Sequence, residues 1–301
     1  MKHFFTLIIT LSAVTQVYTQ NYIDVAKLSL NTTPENKFVS SSSKTRVNEQ
    51  NLDVTIPVKL NSSTNFITGL TNELINTKLY ANESMKVFGS VGVKLGVNKT
   101  INDKWSNTTV FLPKMASDFK INSRNDFQMG MMTLFKLKKH KGLNYKFGIY
   151  YNNEQSGPFV VPMFGFYYLS KNKRFETNVI LPLMADFNYK LTEKFYVGCN
   201  FNGQLRSYHL NDKVMDKTNT YVSKSSNELF IYLRTNLTKN ILVHTRMGQS
   251  FARSYKVYSV SDKVEASLPA YNINDKRTVN NTTFSNGLVF QISVSYRIHL
   301  N

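Results

Sequence analysis

The feature that most constrains this chain is the regular alternation of apolar and polar side chains over its last residues, after Gly287. Successive side chains of a β-strand point to opposite faces, so this spacing predicts a strand with one apolar and one polar, charged face. Such a strand separates two different solvents. The apolar face carries Leu288, Phe290, Ile292, Val294, Tyr296, Ile298 and Leu300, and the polar face carries Gln291, Ser293, Ser295, Arg297 and His299.

The same alternation recurs along most of the chain. Its segments approach or exceed the roughly nine to eleven residues that a tilted transmembrane strand needs. They fall at residues 44–60, 66–74, 86–98, 127–138, 145–152, 175–187, 195–206, 228–237 and 243–251. The pattern predicts an all-β fold, an antiparallel up-and-down transmembrane outer-membrane β-barrel of about 12–14 strands.

The N-terminus predicts export. A short basic start is followed by the apolar run 4–14 and by small or tolerated residues at 17–19, which is typical of a secretory signal peptide. We therefore divide the chain into a signal peptide, residues 1–19, and a single barrel domain, residues 20–301. No later run reaches the roughly eighteen apolar residues of a membrane-spanning helix, so membrane residence requires a barrel. The predicted location is the outer membrane of a Gram-negative cell.

The connections between the predicted strands differ in length, as they do in outer-membrane barrels. Short turns are predicted at residues 61–63, 101–103, 170–173, 192–194 and 238–240, and long external loops at 31–43, 119–125, 211–220 and 259–285. An aromatic residue often follows a short turn, which predicts a girdle at one membrane interface. Its members are Phe66, Trp105, Tyr145, Phe175 and Phe195.

Two features do not fit a simple barrel. Between residues 157 and 210 the alternation shows three strand-like segments where an even number is needed. The count is therefore 12 or 14, depending on whether one segment is split or residues 263–271 form a strand. Pro57, Pro113, Pro162 and Pro182 also lie inside strand-like runs, where proline removes a ladder donor, and we interpret them as bulges or kinks.

The polar faces carry charges of both signs, and the chain as a whole has a formal net charge of +18. Lys and Arg are scattered, and no nucleic-acid motif accompanies them, so we do not expect nucleic acid as a partner. We predict a narrow or occluded lumen laced with salt bridges, favouring anions if it conducts; the alternative is that these residues only solvate and stiffen the interior. The proposed lumen-lining residues are Glu49, Asp53, Glu73, Lys86, Lys94, Lys114, Asp118, Lys136, Lys146, Glu176, Asp186, Arg206, Glu228, Arg234, Arg246 and Arg297.

The sequence contains no recognisable catalytic, metal or cofactor motif. His209 lies near Ser207 and Asp212, which suggests a hydrolase base, although a solvated histidine at a strand end is the more common case. His244 and His299 share polar faces with arginines and are interpreted as lumen fillers. The single cysteine, Cys199, is interpreted as a small apolar filler.

Several runs resemble one known family, the signal-peptide-bearing outer-membrane barrels of Bacteroidetes catalogued as a domain of unknown function. The similar runs lie at residues 23–29, 144–151, 157–162, 227–230, 253–258 and 296–300. The resemblance implies an outer-membrane location and assembly by the barrel-insertion machinery, and it brings no catalytic residues. Outer-membrane barrels usually end on an aromatic residue, whereas this chain ends on Leu300 and Asn301.

Three functions follow from these observations. The first is an outer-membrane barrel with a structural, narrow-channel or small-solute transport role, in contact with outer-membrane lipid and lipopolysaccharide. The second is a barrel enzyme that hydrolyses lipid or peptide, with Ser207 and His209 as its best candidates. The third is a secreted soluble β-sandwich or adhesin, whose outward faces should be polar. The chemistry of any transported solute is not predicted.

Overall fold

The computed structural model of the chain describes residues 22–39, 41–211 and 219–299. The predicted signal peptide, Asp212 and the terminal Leu300–Asn301 lie outside these residues. The described residues form one short 3-10 helix, Arg124–Asp126, and eighteen strands. The strands are β1 Tyr22–Thr32, β2 Asn36–Lys37, β3 Lys44–Thr45, β4 Asn48–Lys59, β5 Thr64–Thr77, β6 Lys86–Thr100, β7 Trp105–Ser117, β8 Phe127–His140, β9 Leu143–Glu154, β10 Gly157–Leu169, β11 Phe175–Leu181, β12 Met184–Lys190, β13 Phe195–Leu210, β14 Thr220–Asn236, β15 Ile241–Ser259, β16 Ala266–Leu268, β17 Tyr271–Ile273 and β18 Leu288–His299.

Fourteen of the described strands form a closed antiparallel barrel, in which each pairs with its neighbours along the chain. They are β1, β4 to β15 and β18, and β18 closes the barrel by pairing with both β15 and β1. The register at the seam places Tyr22 opposite His299 and Leu30 opposite Ile292. The predicted all-β, up-and-down barrel is thus confirmed, and the alternating C-terminal stretch is its closing strand.

The two faces of β18 show how this barrel inverts the usual placement of side chains. Leu288, Phe290, Ile292, Val294 and Tyr296 point outward and are 40–48% exposed, whereas Ser293 and Ser295 are buried inside at 1%. An exposed, continuous apolar surface around a polar interior is the arrangement that a hydrocarbon solvent favours. The soluble sandwich, with its polar outward faces, is therefore incorrect. None of the described helices has the length and hydrophobicity needed to span a membrane.

The strand count is 14 because the segment at residues 175–187 is two strands. β11 and β12 form a hairpin whose connection consists of Pro182 and Leu183, and each strand has only 7 residues. Alternation continues across this turn, which is why the sequence suggests a single strand. The hairpin ends partway up the barrel wall, since its neighbours β10 and β13 have 13 and 16 residues.

The prolines differ in their effect on the ladders. The register runs continuously through Pro57, opposite Ile67, and through Pro162, opposite Ile149, so the interpretation of these two as bulges is wrong. At Pro113 the β6–β7 ladder is interrupted between two paired regions. Pro182 lies in the β11–β12 turn.

The barrel has two distinct ends. Short turns connect strands at the end where the chain enters β1, which we call the inner end. The longer connections lie at the opposite, outer end, which also has the two-residue turn between β9 and β10. The outer end is the extracellular one in outer-membrane barrels of this design. Its long connections are residues 33–47, 78–85, 118–126, 211–219 and 260–287. β16 and β17 form a small hairpin within the last of them, and β16 pairs with β10.

Candidate functional site

The short β11–β12 hairpin leaves a gap in the outer half of the barrel wall. β10 pairs with β11 along Phe164–Leu169, and β12 pairs with β13 as far as Asn202. Beyond these points, residues 157–163 of β10 and 203–210 of β13 have no partner in the hairpin. β16 pairs with this edge of β10 at Phe159, so the gap along β10 is confined to residues 160–163, which span roughly 10 Å at about 3.3 Å per residue.

Beyond Asn202, where its pairing with β12 ends, β13 crosses the interior of the barrel while it stays paired with β14. His209 pairs in parallel with Ser117 of β7, and the backbone N–H of Asp118 donates to the His209 carbonyl at 3.1 Å. The backbone N–H of Ser207 donates to the Glu154 carboxylate at 2.7 Å. We call residues 203–210 the partition, because they lie between β8–β10 on one side and β7 with the rest of the outer half of the barrel on the other.

Side chains alternate across the partition. Arg206, Tyr208 and Leu210 face a smaller ring of nine of the described strands: β13, β14, β15, β18, β1, β4, β5, β6 and β7. Leu205, Ser207 and His209 face the opposite way. Their contacts are with the inner surface of β8–β10 and with the 3-10 helix.

The ring is filled at its outer end by an apolar plug. The plug consists of Phe38, Val47, Ile75, Leu79, Tyr80, Phe88, Ala116, Tyr208, Leu210, Val222, Tyr255, Val257 and Phe284, each at most 7% exposed. Its rings pack closely, with centroids 5.2 Å apart for Phe88 and Tyr208 and 5.5 Å apart for Tyr255 and Phe284. Burial raises the pKa of Tyr80, on the loop 78–85, to about 12, so its phenol stays neutral. Three long loops and the strand ends together close this end of the ring.

A charged cluster lies directly beneath the plug. The Lys224 ammonium, 1% exposed, lies 2.7 Å from the Glu49 carboxylate and 3.1 Å from that of Glu73. Arg206 also pairs with Glu73. The hydroxyls of Tyr208 and Tyr255 donate to Glu73 and Glu49 at 2.7 and 2.8 Å. These contacts stabilise charges whose burial would otherwise be costly.

Below this cluster the lumen contains a cavity of about 610 Å³. Five basic and four acidic residues line it, along with amides, hydroxyls and a few apolar side chains. The charged ones are Lys27, Lys94, Lys114, Arg206, Arg246, Asp24, Asp53, Glu73 and Glu228. Several of the opposite charges pair, including Lys94 with Asp53 at 2.6 Å and Lys114 with Glu154 at 3.5 Å. The cavity is a polar compartment of mixed charge beneath an apolar closure.

Seven of the sixteen residues proposed to line the lumen border this cavity: Asp53, Glu73, Lys94, Lys114, Arg206, Glu228 and Arg246. Five more of the sixteen lie in the interior next to this cavity. They are Glu49, described above, and four residues with the following contacts. Arg297 donates to Asp24 at 2.6 Å, and Arg234 stacks 3.9 Å from the ring centre of Tyr196. Glu176 accepts from Tyr22 and Tyr167, both at 2.9 Å, and Asp186 from Tyr232.

The remaining four proposed residues lie elsewhere. Lys136 and Lys146 are paired across β8 and β9, closer to the inner end. Lys86 begins β6, and Asp118 follows the last residue of β7, so both lie at strand ends beside the outer loops. The five aromatic residues of the predicted girdle fall within the first three positions of strands that follow short inner turns, namely β5, β7, β9, β11 and β13.

The interior also holds charged residues that sequence reasoning missed. Lys224 shares a face with Glu228 on β14, and this spacing was the signal that could have identified it. Glu154 follows the same alternation as Lys146 on β9. Asp24 was harder to place, because the β1–β18 register shifts between Asp24 and Ala26 and breaks the alternation there.

The hydrolase candidates do not form a nucleophile–base pair. The ring nitrogens of His209 contact Asp126 at 2.7 Å and Asn219 at 3.3 Å. The Ser207 hydroxyl instead donates to Glu154. Both side chains are buried and hold the partition in place against β9 and the 3-10 helix. We call Ser207, His209, Glu154 and Asp126 the latch. Among the described residues, no three potential metal ligands cluster together.

Comparison with solved structures returns barrels of remote sequence. An outer membrane channel from Pseudomonas putida F1 is 6% identical with a TM-score of 0.47, over 91% of this chain and 94% of that chain. A FadL homologue from Pseudomonas aeruginosa is 10% identical with a TM-score of 0.44, over 92% and 90%. The translocator domain of the autotransporter NalP from Neisseria meningitidis is 8% identical with a TM-score of 0.38, over 92% and 89%. At this distance none of them identifies a function.

A search of curated proteins returns no match. The family comparison does: the model of the domain of unknown function DUF6268 matches residues 12–296. This match confirms the predicted membership of a family without an assigned activity. The barrel described above is accordingly a member of the DUF6268 family.

Proposed function

We propose that this chain is an outer-membrane barrel that passes a small solute through a narrow, mixed-charge lumen and catalyses no reaction. The observation that carries this proposal is the polar cavity of about 610 Å³ enclosed by the barrel wall beneath the plug. A cavity of this size suits a small molecule. A barrel that served only as a scaffold would not need a solvated compartment with charges of both signs.

Passage through the outer end requires the plug to move. Leu79 and Tyr80 come from the loop 78–85, and Phe284 from the loop 260–287, so part of the plug is attached to loops and not to the wall. Loops are the more mobile parts of a fold. We propose that displacement of these loops opens the ring, with selectivity set by the charges below it.

Single-channel recording in a planar bilayer tests this proposal. The wild-type barrel is expected to show small, infrequent openings, with a preference for anions because basic residues exceed acidic ones around the cavity. The double variant Leu79→Ser/Tyr80→Ser should hydrate the plug and raise the open probability. Ile231→Ser, on the outward face of β14, is the matched control and should leave conductance unchanged. Large, stable, cation-selective steps in the wild type would contradict the proposal.

We also propose that residues 1–19 direct export and that the barrel-assembly machinery inserts the chain among outer-membrane lipid and lipopolysaccharide of a Bacteroidetes cell. Support comes from the basic and apolar N-terminus and from the outward apolar surface of the barrel. Membrane fractionation, combined with gel mobility before and after boiling, tests the location. Release from membranes by salt alone would contradict it.

A further inference from the structure

The inner end of the barrel is strongly basic. Its six turns, residues 60–63, 101–104, 141–142, 170–174, 191–194 and 237–240, contain seven Lys and Arg and two acidic residues. Lys59, Lys99 and Lys139 lie in the last two residues of strands that enter these turns. We call these ten basic residues the basic rim, and its members within the turns are Lys104, Lys141, Lys171, Lys173, Arg174, Lys194 and Lys239.

The charges of the basic rim are available to a partner. All ten residues are exposed. Within the part of the chain that the structure describes, none of them makes an ion pair. Glu193, one of the two acidic residues in the turns, pairs instead with Lys190 at 2.6 Å. The basic rim therefore presents ten positive charges that other side chains do not neutralise.

The outer end differs in its balance of charge. Its long connections, residues 33–47, 78–85, 118–126, 211–219 and 260–287, contain eleven basic and nine acidic residues. Opposite charges pair there, as Lys44 does with Glu35 at 3.3 Å and Arg277 with Asp275 at 2.7 Å. A positive charge that served only solubility could be spread over both ends. Its concentration at one end indicates an anionic partner at that end.

The basic rim lies at the edge of the apolar outer surface. Leu60, Ile101, Leu191 and Leu237 lie in four of the same turns and are 51–62% exposed. The aromatic girdle begins within the first three residues of the strands that follow the inner turns. Lysine and arginine extend their apolar stems along such a surface and keep the charged group in water. The charges of the basic rim are therefore level with the head groups of a surrounding lipid leaflet.

The basic rim also extends around the barrel. Its turns join successive strand pairs from β4–β5 to β14–β15, and each turn either contains a member of the rim or follows one. A protein that bound from one side would require charge on one part of this circumference. A lipid leaflet contacts the whole of it. The distribution of charge therefore favours lipid over a protein partner.

We propose that the basic rim binds the phosphate groups of anionic phospholipids in the inner leaflet of the membrane. This inference rests on the membrane location in the proposed function and is independent of conduction. The ammonium and guanidinium groups donate charge-assisted hydrogen bonds to phosphate oxygens. An anionic leaflet also attracts basic residues over a distance of about one Debye length, so the interaction is sensitive to salt.

The single tryptophan of the chain, Trp105, is placed to report on this lipid. It follows Lys104 at the start of β7 and shares the outward face of that strand with the exposed Phe111. Its ring packs edge-on against Phe147, with centroids 5.5 Å apart. Lys99 lies two residues beyond the outward-facing Val97 and is paired with Asn107, so it lies on the same outward face near Trp105.

Fluorescence quenching in vesicles tests the proposal. The full barrel is reconstituted in phosphatidylcholine with brominated acyl chains, which quench Trp105, and unbrominated phosphatidylglycerol then replaces part of this lipid. Recovery of fluorescence gives the relative binding constant of the two lipids at Trp105. Phosphatidylglycerol should bind about threefold more strongly at low salt. The two lipids should bind almost equally at about 1 M salt, where the Debye length is about 3 Å.

Matched variants locate the effect. Lys99→Gln/Lys104→Gln should remove most of the preference at Trp105. Lys120→Gln/Lys276→Gln removes two exposed lysines from the outer loops and should leave the preference unchanged. Each variant must keep its heat-dependent gel mobility, which shows that the barrel is assembled. Equal effects of the two double variants would overturn the proposal, because net charge and not the basic rim would then set the preference.

Moving the reporter compares the two ends of the barrel. In a Trp105→Phe background, Phe195→Trp places the reporter beside Lys194 on another inner turn. Phe127→Trp places it at the outer end of β8, where Phe127 is 52% exposed. The preference for phosphatidylglycerol should persist at residue 195 and be absent at residue 127. The same preference at both ends would overturn the assignment to the inner leaflet.

The quenching data also separate this inference from the proposed function. If brominated phosphatidylcholine quenches Trp105 but phosphatidylglycerol shows no preference at low salt, the lipid assignment is wrong, the membrane location stands and an acidic protein becomes the better partner. If the assembled barrel is not quenched at all, the membrane location fails and this inference fails with it.

Discussion

The two faces of the partition differ in how they hold the same strand in place. Toward the ring, Arg206 and Tyr208 contact a buried charged cluster beneath an apolar plug. Toward β8–β10, Leu205 packs against the buried apolar side chains of β10, while Ser207 and His209 form the polar latch with Glu154 and Asp126. One face closes the lumen, and the other fastens the strand that makes the closure. The alternating side chains of the partition thus contact two different interior surfaces, whereas those in the inner half of β13 face lipid and lumen.

The two faces also differ in what the loss of one charged side chain would cost in free energy of unfolding. In the ring, Lys224 pairs with two buried carboxylates, and removing it would deprive Glu49 of this ion pair and leave Glu73 with its Arg206 pair. In the latch, Glu154 accepts hydrogen bonds from the backbone and hydroxyl of Ser207, so its loss leaves a buried donor unsatisfied. We therefore expect the charged cluster in the ring to contribute more to the free energy of unfolding, and the latch to fix the position of the partition.

Lys224→Ala should have the largest effect on stability. We expect a loss of about 3–5 kcal/mol in the free energy of unfolding, because Glu49 and Glu73 remain as buried charges. Denaturant unfolding in detergent micelles measures it. Lys44→Ala is the control: its partner Glu35 and Lys44 itself have side chains that are 57% exposed, and such pairs contribute about 0.2–1 kcal/mol. Equal losses in the two variants would show that the charged cluster does not stabilise the ring.

Glu154→Ala should have an intermediate effect and a different signature. We expect about 1–3 kcal/mol of lost stability, together with faster hydrogen exchange of the backbone amides of residues 203–210 and more frequent channel openings. The control is Glu193→Ala, which removes an exposed carboxylate paired with Lys190 on an inner turn. Unchanged exchange in the partition would contradict the role of the latch.

The smallest effect concerns the loop 260–287, outside the membrane-spanning wall. Hydrogen bonds from Arg277, at 2.9 and 2.7 Å, lower the pKa of Asp275 to about 2. A pKa lower in the folded than in the unfolded state means that this stabilisation is complete above pH about 4 and disappears as the pH falls through about 2. The effect is small, because the Asp275 side chain is 32% exposed and solvent screens the pair.

Limited digestion with an acid protease at pH 4 and pH 2 measures this change. Cleavage within the loop should increase at the lower pH in the wild type. Asp275→Asn should remove most of that pH dependence, because the amide does not titrate. The same pH dependence in Asp275→Asn would assign it to another group.

Much of the barrel could be predicted because each strand carries its own signal. The outward row of β18 and the inward positions of Asp53, Lys94 and Arg246 follow from alternation alone. The hairpin turn at Pro182 could not be predicted, since apolar residues continue on both sides of it. Alternation could have placed Lys224 in the interior, on the face of Glu228, but it could not have given its ion pairs, because the carboxylates come from β4 and β5.

The sequence by itself determined which side chains face lipid and which face the interior, because a strand in a membrane must present alternate residues to two solvents. Only the tertiary structure decided that residues 203–210 leave the wall and divide the lumen. That decision depends on pairs far apart in the chain, such as Ser207 with Glu154 and His209 with Ser117. It also depends on a hairpin whose pairing with β13 ends at Asn202, and the shortness of that hairpin is visible only in the folded barrel.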